Sequence, residues 1–118
     1  MHELWQRIKE RLAPSQIIML RVWLDDLRFP PEEYNVWAKT AEECIAILNT
    51  GGVTSLSFDH DLGEGNGTGY DVACWIEKAA FFGRLSKIQW RVHSMNSVGA
   101  KNIKAAMRKA DQYWSNKN

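Results

Sequence analysis

Ile17-Ile18-Met19-Leu20-Arg21-Val22-Trp23-Leu24-Asp25-Asp26 is the stretch that decides the fold. Seven of its first eight residues are apolar and Arg21 is the one interruption. A strand with one wet face would alternate, so an almost continuous apolar run fits a parallel-sheet strand covered on both faces. Such a strand belongs in the middle of its sheet. It stops at Asp25 and Asp26, and Pro30 and Pro31 beyond them cannot continue a central strand. The acidic pair therefore opens a loop at the carboxyl end of a buried strand.

The same arrangement recurs downstream. Val53 to Phe58 reads as a strand that runs directly into Asp59, His60, Asp61, Leu62 and Gly63. Before it lie a weaker strand, Asn35 to Ala38, and a helix through Leu48 that Thr40 and Glu43 start as a capping box. Ala41, Cys44, Ile45 and Leu48 are its expected buried face, and Gly51 and Gly52 close it. After it, Gly63, Gly65, Gly67 and Gly69 make a permissive loop, and Thr68 with Asp71 caps a helix facing the core with Val72, Ile76 and Ala79. Ile88, Trp90 and Val92 alternate with Gln89, Arg91 and His93, the pattern of an edge strand, which ends in His93 and Ser94. From Ser97 a last helix presents Ile103, Met107, Ala110 and Trp114.

Strands separated by helices favour parallel pairing through right-handed crossovers, although the link from Leu24 to Asn35 is too short for a helix. The expected fold is thus α/β: a compact flavodoxin-like three-layer sandwich around a parallel sheet of about four strands. Leu4, Trp5, Ile8 and Leu12 add an amphipathic helix ahead of Pro14. Residues 1–16 are read as a helical extension and 17–114 as the sheet domain.

Composition excludes several classes. The chain has 118 residues, which suits one domain, and 45% hydrophobic with 25% charged residues is ordinary for a globular protein. A net charge of +1 without a Lys/Arg run argues against a duplex-DNA binder. No apolar stretch reaches the ~18 residues of a membrane span, and the N-terminus lacks a signal-peptide core, so a cytoplasmic protein without membrane contact is expected. Six tryptophans are many for this length, and some are expected to rim a pocket. Cys44 and Cys74 lack metal or redox spacing and read as buried free thiols.

In an open parallel sheet, ligands bind beyond the carboxyl ends of the strands, near the point where strand order reverses. Asp25 and Asp26 end the first strand, Asp59, His60 and Asp61 the third, and His93 and Ser94 the fourth, so three distant segments can meet there. Carboxylates gathered in a crevice repel one another unless a cation offsets them, so Asp25, Asp26, Asp59 and Asp61 are the expected ligands of a divalent metal. Oxygen donors favour Mg2+ or Mn2+, whereas the two imidazoles pull towards manganese, zinc or iron. The plainer alternatives are a turn closed by the acidic pair and histidines satisfied by neighbouring carboxylates. Arg28 can clamp a phosphate or pair with Asp26 or Glu32, and Asn96 can face an anion or simply cap the last helix. Ser94 and the helix N-terminus at Gly69 complete the expected phosphate-binding set.

Leu24-Asp25-Asp26-Leu27-Arg28 with Pro30, Ser57-Phe58-Asp59-His60-Asp61-Leu62-Gly63, Thr68-Gly69-Tyr70-Asp71 and His93-Ser94-Met95-Asn96 together resemble the cyclic-phosphate processing receiver family over about residues 20–108. The resemblance implies a compact receiver-like fold, proposed to hydrolyse cyclic phosphates on nucleotides or RNA ends, with the strand-end Asp and His residues as its site. Ordinary phosphorelay receivers differ: here His60 follows the candidate phosphoacceptor Asp59, and no fifth strand with the usual Lys follows the last helix.

The resulting expectation is a metal-dependent cyclic phosphodiesterase in which His60 and His93 move protons and Asp59 contributes to catalysis. In a covalent variant Asp59 or His60 attacks phosphorus. The competing expectations are a module that binds or sequesters a cyclic nucleotide, with Trp37 against the base, and a receiver that docks a partner protein. The expected ligand is a small cyclic-phosphate nucleotide or RNA end. The N-terminal helix, outside the resemblance, is expected to pack on this core or on a second copy as a homodimer.

Overall fold

A computed structural model of the chain describes residues 19–116. The N-terminal helix and the first two residues of the opening run lie outside them. The described residues form seven elements: β1 (Leu20–Leu24), β2 (Val36–Ala38), α1 (Ala41–Leu48), β3 (Val53–Phe58), α2 (Gly69–Phe81), β4 (Gln89–Val92) and α3 (Ser97–Ser115). All strands are parallel, in the order β2-β1-β3-β4. β1 is central and β4 is an edge, as the apolar run and the alternating strand require.

Register aligns the apolar residues in rows. Val36, Val22, Leu56 and Trp90 lie side by side, as do Ala38, Leu24, Phe58 and Val92. Side chains alternate across a strand, so both rows face one side, where Val22, Leu24, Leu56 and Phe58 are fully buried. Val72 and Ile76 of α2 and Ile103 and Met107 of α3 complete this core, as their helical spacing predicts. In α1 Ala41, Cys44 and Leu48 are buried as expected, but Ile47 completes the buried face and Ile45 is only half-buried.

Among the described residues the sandwich has two layers of regular structure rather than three. The crossovers β2-α1-β3 and β3-α2-β4 run in the same direction, and right-handedness then puts both helices on one face. α3 packs along α2 on that face. A helix between β1 and β2 would occupy the other face, but residues 25–35 cross there without one. Tyr34 from this link leans on Trp23 at a ring distance of 5.3 Å, and the Arg21 side chain donates to the Glu33 carbonyl. The link thus shelters the end of β1 at Trp23, which is buried, while Arg21 and Ser55 are half-buried and Gln89 and Arg91 stay exposed on this side of the sheet.

Cys44 is buried, and burial drives its thiol pKa far upward. Cys74 is exposed, contrary to the expectation of two buried thiols, because it lies about 200° around α2 from Val72. No helix among the described residues is long and apolar enough to cross a membrane.

α2 comes unusually close to the end of β3. The Gly69 amide donates to the His60 carbonyl at 2.8 Å, and a Cβ on Gly69 would stand 1.9 Å from the Asp59 carbonyl oxygen. That oxygen is backbone and cannot swing away. Gly69→Ala is therefore expected to cost about 3 kcal/mol in urea unfolding, and a loss well under about 1 kcal/mol would mean that α2 can retreat from the strand end freely.

Candidate functional site

The sheet ladder continues one residue past its strands. Asp25 donates its amide to Ala38, Asp59 to Leu24 and His93 to Phe58, at 3.0, 2.8 and 2.9 Å. These three residues are thereby held in a row across β1, β3 and β4, at the reversal of strand order. Beside them lies a crevice of about 350 Å³ lined by Asp25, Asp26, Leu27, Arg28, Asp59, Asp61, Gly63, Ser94, Met95 and Asn96.

Asp25 is 1% exposed, and every oxygen of its carboxylate is engaged. Oδ1 accepts the Leu27 and Arg28 amides, both at 2.8 Å, which closes the turn after β1. Oδ2 accepts His93 Nε2 at 3.0 Å. An ionised carboxylate only accepts, so Nε2 carries the hydrogen and Nδ1 receives the Ser57 hydroxyl at 2.8 Å. The imidazole also stacks on Trp23, ring centres 3.7 Å apart and planes 5° from parallel. Burial lowers the His93 pKa, with the Asp25 carboxylate pulling the other way. His93 is a tightly held neutral imidazole, with both nitrogens bonded inside the fold.

Asp25, Asp26 and Asp59 bring one carboxylate oxygen each to within 4.8 Å of one another. This group is able to hold a divalent cation, and its donors are all oxygen. Burial raises the Asp59 pKa, and the nearby Asp25 charge adds to this, while the His60 amide and the Ser94 hydroxyl oppose it. A raised carboxyl pKa means that the ionised group sits in too little water and too much negative charge, which a cation would relieve.

Asp61 does not join that group. Had β3 continued, residues 59 and 61 would face the same way, but the chain bends at His60, Asp61 bridges to Thr68, and Leu62 is buried. Asp61 instead accepts His60 Nδ1 at 2.9 Å and the Asn96 amide at 3.3 and 3.4 Å, bonds that lower its pKa. The His60 ring lies over Gly99, where a Cβ would come within 2.3 Å of Cγ. His60 Nε2 makes no hydrogen bond among the described residues.

The remaining expected residues divide. Arg28 and Ser94 line the crevice, and the Arg28 guanidinium pairs with neither Asp26 nor Glu32; its one hydrogen bond among the described residues is to the His93 carbonyl at 3.5 Å. Asn96 lines the crevice too, but its carbonyl caps α3 by accepting the Gly99 amide at 2.9 Å. His60, His93 and Gly69 are outside the lining. Beyond Gly63, which lines the crevice, the glycine loop runs to α1, its Asn66 carbonyl accepting the Ala41 amide. Trp37 donates its indole N–H to the Asp25 carbonyl at 2.7 Å, with Phe29 against its edge and Lys39 over its face. Trp23 likewise donates to the Arg28 carbonyl, so these two tryptophans brace the acidic turn.

Ser57, Trp23 and Gly99 were not among the expected site residues. Ser57 had a legible signal: it stands two residues before Asp59, on the same face of the strand. Gly99 had a weaker one, since a glycine inside a helix costs about 1 kcal/mol against alanine and calls for a reason.

The family model for the cyclic-phosphate processing receiver domain matches residues 20–109. The chain belongs to that family. The match covers every strand and runs into α3, so the acidic row and the crevice lie wholly within the receiver domain. No curated protein and no solved structure was found to match it.

Because the fold raises the Asp59 pKa, its ionised form is the disfavoured one. The cation-free domain keeps this group's full stability below the unfolded carboxyl pKa and loses some as pH rises through the raised value. In chelator at pH 7, Asp59→Asn is expected to melt no lower than wild type. Millimolar Mg2+ or Mn2+ should raise the wild-type Tm by roughly 5 °C and the variant's much less; a wild-type Tm that neither cation moves would remove the cation site.

Proposed function

We propose that this receiver domain is a metal-dependent phosphoesterase that hydrolyses a cyclic phosphate carried by a nucleotide or an RNA end. One observation carries the reading: carboxylates from two adjacent strand ends converge at a crevice whose rim holds an arginine that makes no ion pair among the described residues. Carboxylates alone would repel a phosphodiester, whereas a cation among them and Arg28 beside them make the crevice attractive to it. The all-oxygen donor set favours Mg2+ or Mn2+ over zinc. A divalent cation bound there supplies Lewis-acid polarisation of a phosphoryl oxygen and a lower pKa for water.

The domain's own residues divide the remaining work. Arg28 and the Ser94 hydroxyl bind and orient phosphate oxygens. Asp61 holds the hydrogen of His60 on Nδ1 and leaves Nε2 unbonded among the described residues, the arrangement of a general base with its orienting carboxylate. Water oxygen bonds to phosphorus, one ring P–O bond breaks, the water proton passes through one solvent water to His60 Nε2, whose ring stands outside the crevice lining, and the released alkoxide takes a proton from solvent in the open crevice. His93 acts as a positioning residue for Asp25, not as a proton carrier, because both its nitrogens are occupied.

The test is phosphorus NMR of 2′,3′-cyclic and 3′,5′-cyclic nucleotides with wild type, Asp59→Asn and His60→Gln, in Mg2+, Mn2+ or chelator. Ring opening that chelator stops and each variant slows at least about 100-fold is the expected outcome. Nucleotide binding without opening would instead identify a sequestering module, and a phosphoenzyme trapped by acid quench would make Asp59 or His60 the nucleophile.

A further inference from the structure

The crevice that carries the acidic group also carries two large apolar side chains that face solvent. Leu27 is 83% exposed and Met95 82%, and both belong to the lining. Neither exposure is a fraying loop end. Leu27 sits at the apex of the turn that Asp25 Oδ1 closes by accepting two amides, and Met95 at the apex of a turn in which the Ser94 hydroxyl accepts the Asn96 amide at 3.0 Å. Two polar side chains of the crevice each hold an apolar neighbour out over it. Phe29 and Val98, farther along the same two segments, are 81% and 69% exposed. Displaying this much apolar surface beside a charged crevice is costly unless a ligand covers it.

That ligand must satisfy both halves of the crevice. Arg28, with a cation held among the carboxylates, selects an anion, whereas Leu27 and Met95 select a flat or apolar group attached to it, and methionine adapts well to ring faces. A volume of about 350 Å³ is at the small end for a ligand site and suits one nucleotide unit. We propose that Leu27 and Met95 form an apolar clamp for the base of a single terminal nucleotide, so that the substrate is a nucleoside cyclic phosphate and not any cyclic phosphodiester. This rests on the phosphoesterase reading above.

The experiment compares kcat/KM for a nucleoside 2′,3′-cyclic phosphate, a trinucleotide with the same terminus, and glycerol 1,2-cyclic phosphate, which has no base. Wild type is expected to prefer both nucleotides to the glycerol ester by at least about tenfold, and Leu27→Ser with Met95→Ser to lower that ratio about tenfold. Preference for one nucleotide over the other distinguishes a free nucleotide from an RNA end, and the clamp holds for either. If all three are opened with equal kcat/KM, or the ratio is the same in the double variant, the clamp is overturned and the phosphoesterase reading stands. If wild type opens none of them, the phosphoesterase reading falls and the clamp with it.

Discussion

A buried carboxylate has to be satisfied, and Asp25 is the residue around which the carboxyl end of this sheet is organised. Its oxygens take two backbone amides and one imidazole, three donors from two separate segments. Losing any of them would leave buried charge unpaired, which costs far more than an ordinary hydrogen bond contributes. The turn after β1 and the orientation of the His93 ring both follow from this one requirement.

The support reaches outward in layers. Trp23 stacks against the imidazole and donates to the Arg28 carbonyl, Trp37 donates to the Asp25 carbonyl, and Ser57 occupies the His93 nitrogen that Asp25 leaves open. These residues rigidify the turn that carries Asp25 and Asp26, so a cation among the carboxylates would not have to order it. Preorganisation of this kind lowers the cost of binding and of charge stabilisation alike. On the other side of Asp59, Gly69 and Gly99 let backbone and ring approach where any Cβ would intrude. The two helices that bear these glycines thereby press His60 and Asp59 into place.

The histidines show how one residue type takes different roles. Both accept the plain fate of an imidazole beside a carboxylate, yet His93 has no nitrogen left over while His60 keeps Nε2 unbonded among the described residues. The difference comes from their positions. His93 continues the ladder of an edge strand and folds back over Ser57, whereas His60 stands at a bend and pairs with the residue next to it.

Much of this was legible in the residues alone. The apolar run before Asp25, the alternation from Ile88 to His93 and the Thr68–Asp71 capping box are local patterns, and local backbone and hydration preferences decide such elements. The convergence of Asp25, Asp26 and Asp59 was also legible, because a parallel sheet gathers its strand ends at one side. Three things were not: that Asp61 leaves the acidic group for His60, that His93 is closed in by Ser57 and Asp25, and that the helices lie on a single face of the sheet. Each depends on where chain segments far apart in sequence meet. A bend at one residue or a link too short for a helix redirects side chains, and only the packed tertiary structure decides which partner each then finds.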